Sequence, residues 1–299
     1  MNQIIDMIEK IVSYVETHIY EEFSLNELSD SVFISKFHML RTFKSITGLG
    51  IMEYKNLRRL SLSIEDLLNS QKNISYISNK YGYAGSQSYI RAFKRFFDMT
   101  PSAFRNHPIE LKIVERYNTS LLQICGDGIL IEPEIKMVPE FSIAGLPYYL
   151  NDYENYKNSS AIQMAFDFFY GHSHEIKDPL DPQIYIGYSY VPEGFLKKEI
   201  KERDVFYMPS LMINQQSIVP KAMKKITIES RKYAIFKYIG YHAISQLERK
   251  MLVDIWDYIH QSWTPSVSVE KDDVFAFERL DERILTNDYC EILIYVPVE

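Results

Sequence analysis

Chain-breaking residues fall at only a few places in the first third of the sequence. Between residues 4 and 108, proline first occurs at position 101, and the glycines are Gly48, Gly50, Gly82 and Gly85. We therefore expect helices separated by short turns in this region. A short helix, a turn and a second helix occur around residues 24–47 and again around residues 73–97, with a continuous helix over residues 51–69 between them. The pattern predicts an all-α N-terminal domain with two helix-turn-helix units joined by a linker helix.

Capping signals mark several of these helix ends. Ser24 is followed three residues later by Glu27, which is the spacing of a capping box. Ser35 can cap the next helix, and Gly48 suits the left-handed conformation that often ends a helix.

The second helix of each unit has an apolar face and a polar face. The positions expected to be buried are Met39, Thr42, Phe43 and Ile46 in the first unit, and Tyr89, Ala92, Phe93 and Phe96 in the second. The outward positions are Phe37, Arg41 and Lys44 in the first unit, and Gln87, Arg91 and Lys94, bordered by Ser86 and Ile90, in the second. Arginine and glutamine can read base edges, and lysine can neutralise phosphate, so these faces suit DNA.

Ordinary surface residues would also explain a single basic helix face. The arrangement occurs twice, however, and the first patch also includes Lys36. Residues 1–108 hold 13 Lys and Arg against 11 Asp and Glu, whereas residues 109–299 hold 20 against 29. Two local basic patches in a chain with a net charge of -7 favour a phosphate-binding surface.

Three stretches of this region resemble the DNA-binding domain of the AraC/XylS family of transcription regulators. They are SLNELSDSVFISKFHMLRTFKSITG, NLRRL and ISYISNKYGYAGSQSYIRAFKRFFDMTPSAFR, within residues 5–107. The resemblance implies seven helices, with two recognition helices in adjacent major grooves on one side of the duplex. It also implies base contacts from Phe37, Leu40, Arg41, Ser86, Gln87, Ile90 and Arg91. Some family members have glutamine at the position of Leu40; leucine can meet a thymine methyl but cannot make a bidentate contact to adenine.

After residue 108 the hydrophobic period changes from that of helices to that of strands. Strand-like runs rich in β-branched and aromatic residues surround two helical stretches, at residues 159–171 and 242–263. Their order predicts an α+β C-terminal domain with pseudo-twofold strand-helix-strand-strand repeats. We predict domains at residues 1–108 and 131–299 and a linker at residues 109–130, with a tight turn at CGDG.

Two carboxylates interrupt apolar strand faces near the C-terminus. Glu278 shares a strand face with Ala276 and Leu280, and Glu291 shares one with Leu293 and Tyr295. Each can belong to an edge strand with its acid in water. If the acid is buried instead, a carboxylate among tyrosines suits a lipophilic cation. The candidate walls of such a pocket are Tyr148, Tyr149, Tyr188, Tyr190, Tyr238 and Tyr241.

The stretches YAIFKYIGYH, IHQSWTPS, FAFERL and EILIYVPV resemble the GyrI-like effector-binding domain, over about residues 130–299. The resemblance implies that Glu278 is the central ligand-binding glutamate. Glu291, in the last strand, is the reserve candidate.

Together these features predict a DNA-binding transcription regulator that senses a small, lipophilic and cationic effector. Double-stranded DNA, the effector and RNA polymerase are the expected partners. A GyrI-like small-molecule hydrolase and a protein-binding module are the alternatives. The sequence has no GxSxG, HExxH or glycine-rich phosphate loop, so we expect no enzyme, no cofactor and no metal. It also has no secretory signal or long apolar run, so we expect a cytoplasmic protein without a membrane partner.

Overall fold

The structure is a computed structural model that describes residues 3–150, 158–191, 205–264 and 275–298. The chain forms two compact units, Gln3–Ser120 and Leu121–Glu299, which we call the helical unit and the sheet unit. The division between them falls within residues 109–130, where the sequence predicts a linker.

The described residues of the helical unit form seven α-helices. Their bounds are α1 Gln3–Thr17, α2 Leu25–Val32, α3 Lys36–Thr47, α4 Ile51–Asn69, α5 Ile74–Lys80, α6 Ser86–Phe97 and α7 Pro101–Asn106. The predicted capping box is confirmed, because Ser24 and Glu27 accept each other's backbone N–H groups. Ser35 accepts from the His38 N–H at 3.4 Å, and α3 ends at Gly48 with a φ of 74°. These signals are local, so they fix the helix ends before any tertiary packing is considered.

The predicted apolar faces of α3 and α6 form much of the core. All four α3 positions are buried, as expected, and so are Tyr89 and Phe93 of α6. Ala92 and Phe96 are only half-buried at the margin of the same cluster. The hydroxyls of Tyr89 and Ser63 share a hydrogen bond of 2.7 Å, which ties α6 to α4 inside the core.

A charged network links α1 to α4. Arg58 donates from Nε and Nη2 to the two carboxylate oxygens of Glu16 at 2.8 and 3.0 Å, and the Tyr54 hydroxyl donates to Glu16 at 2.7 Å. Burial by itself raises the pKa of Glu16, but the hydrogen bonds from Arg58 and Tyr54 and the charge of Arg58 lower it overall. The carboxylate is therefore stabilised in its ionised form.

The segment after α7 packs against the helical unit. Arg58 donates to the Val114 carbonyl at 2.9 Å, and the Tyr117 N–H donates to the Tyr54 hydroxyl at 3.1 Å. The Tyr117 hydroxyl donates to the carbonyl of Ile46, in the last turn of α3, at 3.3 Å. The chain thus stays attached to the helical unit up to the start of the sheet unit.

The sheet unit contains ten described strands and two described α-helices. The strands are β1 Gln123–Cys125, β2 Gly128–Val138, β3 Phe141–Gly145, β4 Tyr148–Leu150, β5 Ile184–Tyr190, β6 Val205–Ile213, β7 Lys224–Ile228, β8 Arg231–Gly240, β9 Phe275–Asp281 and β10 Cys290–Pro297. The helices are α8 Ser160–Asp167 and α9 Arg249–Asp257, and each continues into a π-helical turn.

The strand order is β1-β2-β8-β10-β9-β5-β6-β3-β7, with β4 beside β6, and the strand pairs described are antiparallel. The CGDG turn is confirmed: it joins β1 to β2, and Gly126 has a φ of 55°. The edge-strand alternative for Glu278 and Glu291 is wrong, because β9 lies between β10 and β5, and β10 lies between β8 and β9.

Both helices cover the same face of the sheet. On β10, Ile292 and Ile294 belong to a core cluster with Ile255 and Ile259 of the α9 segment. The turn after α8 places Phe168 against Tyr185 of β5, with ring centroids 6.5 Å apart. The strand registers put Ile294, Glu278, Gly187 and Tyr185 on one side of the sheet, which we call the helix-covered face.

No helix in the described residues is long and apolar enough to cross a membrane.

Candidate functional site

The outward face of α3 carries cations and exposed apolar groups. Lys36 and Lys44 are exposed, and Phe37 is 73% exposed. Arg41 is half-buried, with its guanidinium carbon 5.4 Å from the centroid of the Phe37 ring. Leu40 is half-buried one helical turn from Phe37. These side chains are adjacent because helical residues three, four and seven apart share a face.

The corresponding face of α6 is more polar. Gln87, Arg91 and Lys94 are exposed, while Ser86 and Ile90 are half-buried. Arg91 Nε lies 3.4 Å from the backbone carbonyl oxygen of Gln87, one helical turn earlier, so this part of the guanidinium lies along the surface of α6. None of the ten side chains that the sequence assigns to DNA binding is buried.

The turn before α6 is held by α4 and by the turn that follows α1. Arg59 donates to the Gly82 carbonyl at 2.7 Å, and its guanidinium lies 4.5 Å from the centroid of the Tyr83 ring. Gly82 has a φ of 69°, and a Cβ at that position would overlap the carbonyl oxygen of Tyr20. Glycine is therefore required there for conformation and for space, and the start of α6 is fixed relative to α4.

The sheet unit brings a carboxylate and two phenols together over a glycine. Glu278 of β9 lies directly opposite Gly187 of β5 and Ile294 of β10. A Cβ built on Gly187 would lie 2.6 Å from Glu278 Oε2 and 2.6 Å from the Tyr207 hydroxyl. Because Gly187 has no side chain, the Glu278 carboxylate oxygen and the Tyr207 hydroxyl can both project into the space above it.

Tyr185 and Tyr207 keep their protons at this site. Burial raises the pKa of the Tyr185 phenol well above its usual value, and the neighbouring Tyr207 and Glu278 raise it further. Burial, followed by the negative charge of Glu278, raises the pKa of Tyr207 in the same way. Both phenols are therefore neutral donors beside a carboxylate.

Among the tyrosines predicted to form the pocket, Tyr148 is the one on this side of the sheet near Glu278. It pairs directly with Tyr207 in the β4–β6 ladder and is half-buried. Burial and the charge of Asp167 raise its pKa.

The other predicted pocket residues lie elsewhere. Tyr238 is on the helix-covered face but packs fully buried in the α9 cluster, with its hydroxyl 3.0 Å from His242 Nε2. Tyr188 points to the opposite face and stacks on Tyr190, with ring centroids 5.1 Å apart. The residues that the sequence predicts as walls of one pocket therefore lie on both faces of the sheet.

Glu291 also lies on the opposite face of the sheet. It accepts a hydrogen bond from the Tyr289 hydroxyl and lies 3.9 Å from the Lys237 ammonium. The Tyr241 ring packs beside Tyr289, with centroids 5.8 Å apart. Glu291 and Tyr241 thus form a separate polar cluster away from Gly187.

No group of metal-ligating side chains occurs in the parts of the chain that the structure describes. His172 and His174 follow α8, and His172 Nδ1 lies 2.8 Å from a Glu175 carboxylate oxygen. This exposed pair has the geometry of a surface ion pair.

Comparison with protein families matches both units. Residues 28–107 match a helix-turn-helix domain, and residues 131–299 match the GyrI-like small molecule binding domain. The helix-turn-helix surface and the separate sheet domain define a DNA-binding transcription regulator with a small-molecule-binding domain. The chain belongs to the AraC-type regulators that carry a GyrI-like domain.

The chain is also similar to individual proteins. The transcriptional regulator Rob of Salmonella typhimurium is 25% identical over 238 residues, covering 78% of this chain and 78% of Rob. The HTH-type transcriptional regulator YbfP of Bacillus subtilis is 30% identical over 98 residues, a third of each chain. Among solved structures, the C-terminal domain of AraT, a response regulator from Geobacillus stearothermophilus, aligns with a TM-score of 0.33 and 18% identity, over 38% of this chain and 93% of that domain.

Proposed function

We propose that α3 and α6 are recognition helices which enter adjacent major grooves, and that the sheet unit binds a small lipophilic cation at Glu278. The effector proposal is carried by one observation, the approach of Glu278 Oε2 and the Tyr207 hydroxyl to the same point above Gly187. RNA polymerase is a further proposed partner of the DNA-bound protein.

The DNA proposal is supported by the two matched helix faces. Arg41 and Arg91 occupy equivalent outward positions on α3 and α6, beside exposed lysines. We expect the Arg41→Ala/Arg91→Ala variant to lose more than tenfold in affinity for a selected operator, because each arginine can contribute about 1–3 kcal/mol to base discrimination.

The matched control is Lys10→Ala/Lys112→Ala, which removes the same charge from exposed positions outside both helices. Electrophoretic mobility shifts at fixed salt measure both variants on one duplex. Equal affinity of the two variants would contradict the assignment of the recognition helices.

We also propose that the sheet unit is a pseudo-twofold pair of strand-helix-strand-strand repeats, β3-α8-β5-β6 and β8-α9-β9-β10. In support, the strand order reads β3-β6-β5 from one side and β8-β10-β9 from the other, and the two halves meet at the β5–β9 pair. That ladder runs from Ile184 opposite Asp281 to Tyr190 opposite Phe275, with Gly187 and Glu278 at its midpoint. The proposed site therefore lies where the two repeats join, a position typical of ligand clefts.

The chemistry at this position favours a cation with an apolar body. A carboxylate supplies the charge, and the tyrosine rings supply apolar contact and negatively polarised faces. An anionic ligand would be repelled by Glu278. Among the residues that the structure describes, no cluster of carboxylates offers the ligands that a small hydrated metal ion prefers.

A matched pair of probes tests the charge requirement. Phenyltrimethylammonium and tert-butylbenzene have nearly the same shape, and only the first is charged. At about 100 times its dissociation constant, a ligand adds roughly 2.7 kcal/mol of stability, or about 5–10 °C in the unfolding of a unit of this size. We expect this shift for the cation with the wild-type protein, and its loss in Glu278→Gln. Equal shifts from both probes, or from both proteins, would contradict a carboxylate-based cation site.

We propose that the chain has no catalytic activity. The relatives named above are transcription regulators. At the Glu278 site both phenols are held protonated, which makes them poor nucleophiles. Hydrolysis of ester or lactone substrates that stops in Glu278→Gln would overturn this proposal.

A further inference from the structure

Two phenylalanines are unusually exposed at the first helix-turn-helix unit. Phe33 is 92% exposed in the turn between α2 and α3, and Phe37 is 73% exposed in the first turn of α3. They are the two most exposed large apolar side chains in the described residues. Apolar surface concentrated in one place usually marks a contact site.

The backbone conformation of Phe33 is also unfavourable for a phenylalanine. Phe33 caps α2 in the left-handed conformation, with φ 58° and ψ 37°, and its N–H donates to the carbonyls of Asp30 and Ser29. Glycine or asparagine normally occupies such a position, and a bulky side chain there is strained. Neither packing nor backbone preference favours phenylalanine, so its ring is best explained by a contact outside the unit.

The surroundings of the Phe37 ring identify the partner. On the α3 surface, Phe37 and Leu40 are flanked by the cations of Lys36, Arg41 and Lys44. Cations suit the phosphates on either side of a major groove, and an apolar centre suits the one apolar group on its floor, the 5-methyl group of thymine. The equivalent positions of α6 are mixed: exposed Gln87 corresponds to Phe37, and half-buried Ile90 corresponds to Leu40.

Resting on the proposed DNA-binding function, we propose that α3 reads thymine methyl groups through Phe37 and Leu40, and that Phe33 extends the same apolar surface. The two recognition helices then read their half-sites by different chemistry. The half-site under α3 is thymine-rich, and the half-site under α6 is specified mainly by hydrogen bonds from Gln87 and Arg91.

Deoxyuridine substitution tests this directly. Binding sites are first selected from random duplex DNA with the full-length protein. Each thymine of the selected site is then replaced by deoxyuridine, which removes only the methyl group, and affinity is measured by fluorescence anisotropy at fixed salt. We expect about fourfold weaker binding for each contacted methyl in one half-site, from the burial of a methyl-sized apolar group.

Protein variants connect the methyl groups to the named residues. Phe37→Ala and Leu40→Ala should bind the thymine duplex more weakly and lose their sensitivity to deoxyuridine, whereas Lys94→Ala should weaken binding to both duplexes equally. Phe33→Gly should raise the melting temperature by relieving backbone strain and yet weaken binding to the thymine duplex. That opposite pair of effects separates a contact role from a structural one.

Several results would overturn the inference. If deoxyuridine at every thymine leaves affinity unchanged, or if its effect persists in both α3 variants, these residues do not read methyl groups. If Phe33→Gly is stabilising but neutral for DNA, Phe33 does not belong to the DNA-binding surface. If no sequence is enriched from the random pool, the DNA-binding proposal itself fails, and this inference fails with it.

Discussion

Replacing Gly187 with alanine should damage the effector site more than it damages the fold. The added methyl group would lie 2.6 Å from Glu278 Oε2, 2.6 Å from the Tyr207 hydroxyl and 3.1 Å from Tyr207 Cε2. These distances are shorter than van der Waals contact, so neighbouring atoms must move. Tyr207 is 7% exposed and has little freedom, and the Glu278 carboxylate is therefore the group that we expect to be displaced.

The expected loss of stability follows from two opposing contributions. Overpacking of a filled site costs about 1–3 kcal/mol. Alanine in place of glycine recovers about 0.4–1 kcal/mol by restricting the unfolded chain. We therefore expect a net loss of about 1–2 kcal/mol, which corresponds to a fall of about 2–8 °C in the melting temperature of a unit of this size.

The assay is differential scanning fluorimetry of the full chain with and without phenyltrimethylammonium. The matched control is Gly171→Ala in the turn after α8, where an added Cβ would meet nothing within 4 Å. We expect the cation to stabilise the wild-type and Gly171→Ala proteins but not Gly187→Ala. Full stabilisation of Gly187→Ala by the cation would refute the placement of the site above this glycine.

Three further predictions concern stability and thiol chemistry. Because the pKa of Glu16 is lowered on folding, its contribution to stability is present above the unfolded-state pKa and is lost as the pH falls through the folded-state pKa. Glu16→Gln should therefore lower the free energy of unfolding by about 2 kcal/mol at neutral pH and by progressively less in acid. Urea titrations that give the same difference between wild-type and variant proteins at low pH as at neutral pH would contradict this. Burial raises the pKa of the Cys125 and Cys290 thiols to about 12, so neither thiol should react with Ellman's reagent at pH 8 until the protein unfolds. Rapid reaction of the native protein would show that the thiols are accessible. Gly82→Ala should lower the free energy of unfolding by well over the roughly 1 kcal/mol expected for Gly48→Ala. Both glycines have positive φ, but only at Gly82 would an added Cβ overlap another part of the backbone, the Tyr20 carbonyl. Equal melting temperatures of the two variants would argue against that close approach.

The helical unit could be predicted closely because its signals are local. Ser24, Ser35 and Gly48 mark helix ends through bonds to residues a few positions away. The buried face of α3 follows from helical spacing alone. In contrast, the attachment of residues 114–117 depends on contacts with side chains more than fifty positions earlier, and no periodic pattern indicates it.

The sheet unit shows where such prediction stops. Most strands were visible as β-rich runs, but β1 and β4 have three residues each and are too short to produce a pattern. Tyr185, Gly187 and Tyr207 are not among the pocket residues predicted from the sequence. The alternation in QIYIGYSY does put Tyr185 and Gly187 on one strand face, which is the signal that the sequence offers for these two residues. It could not show that β9 pairs with β5, so the position of Glu278 beside Tyr207 and Gly187 was out of reach.

The two proposed sites differ in how the chain encodes them, and this affects how variants should be interpreted. The proposed DNA surface consists of outward positions on two helices, so one side chain can change while the buried face stays intact. The proposed effector site would be made by Tyr185, Gly187, Tyr207 and Glu278, which lie on three neighbouring strands inside the sheet. A substitution there changes packing and ligand contacts together. Ligand binding by such a variant is therefore interpretable only beside its melting temperature without ligand, whereas a recognition-helix variant can be judged by its DNA affinity once its fold is confirmed.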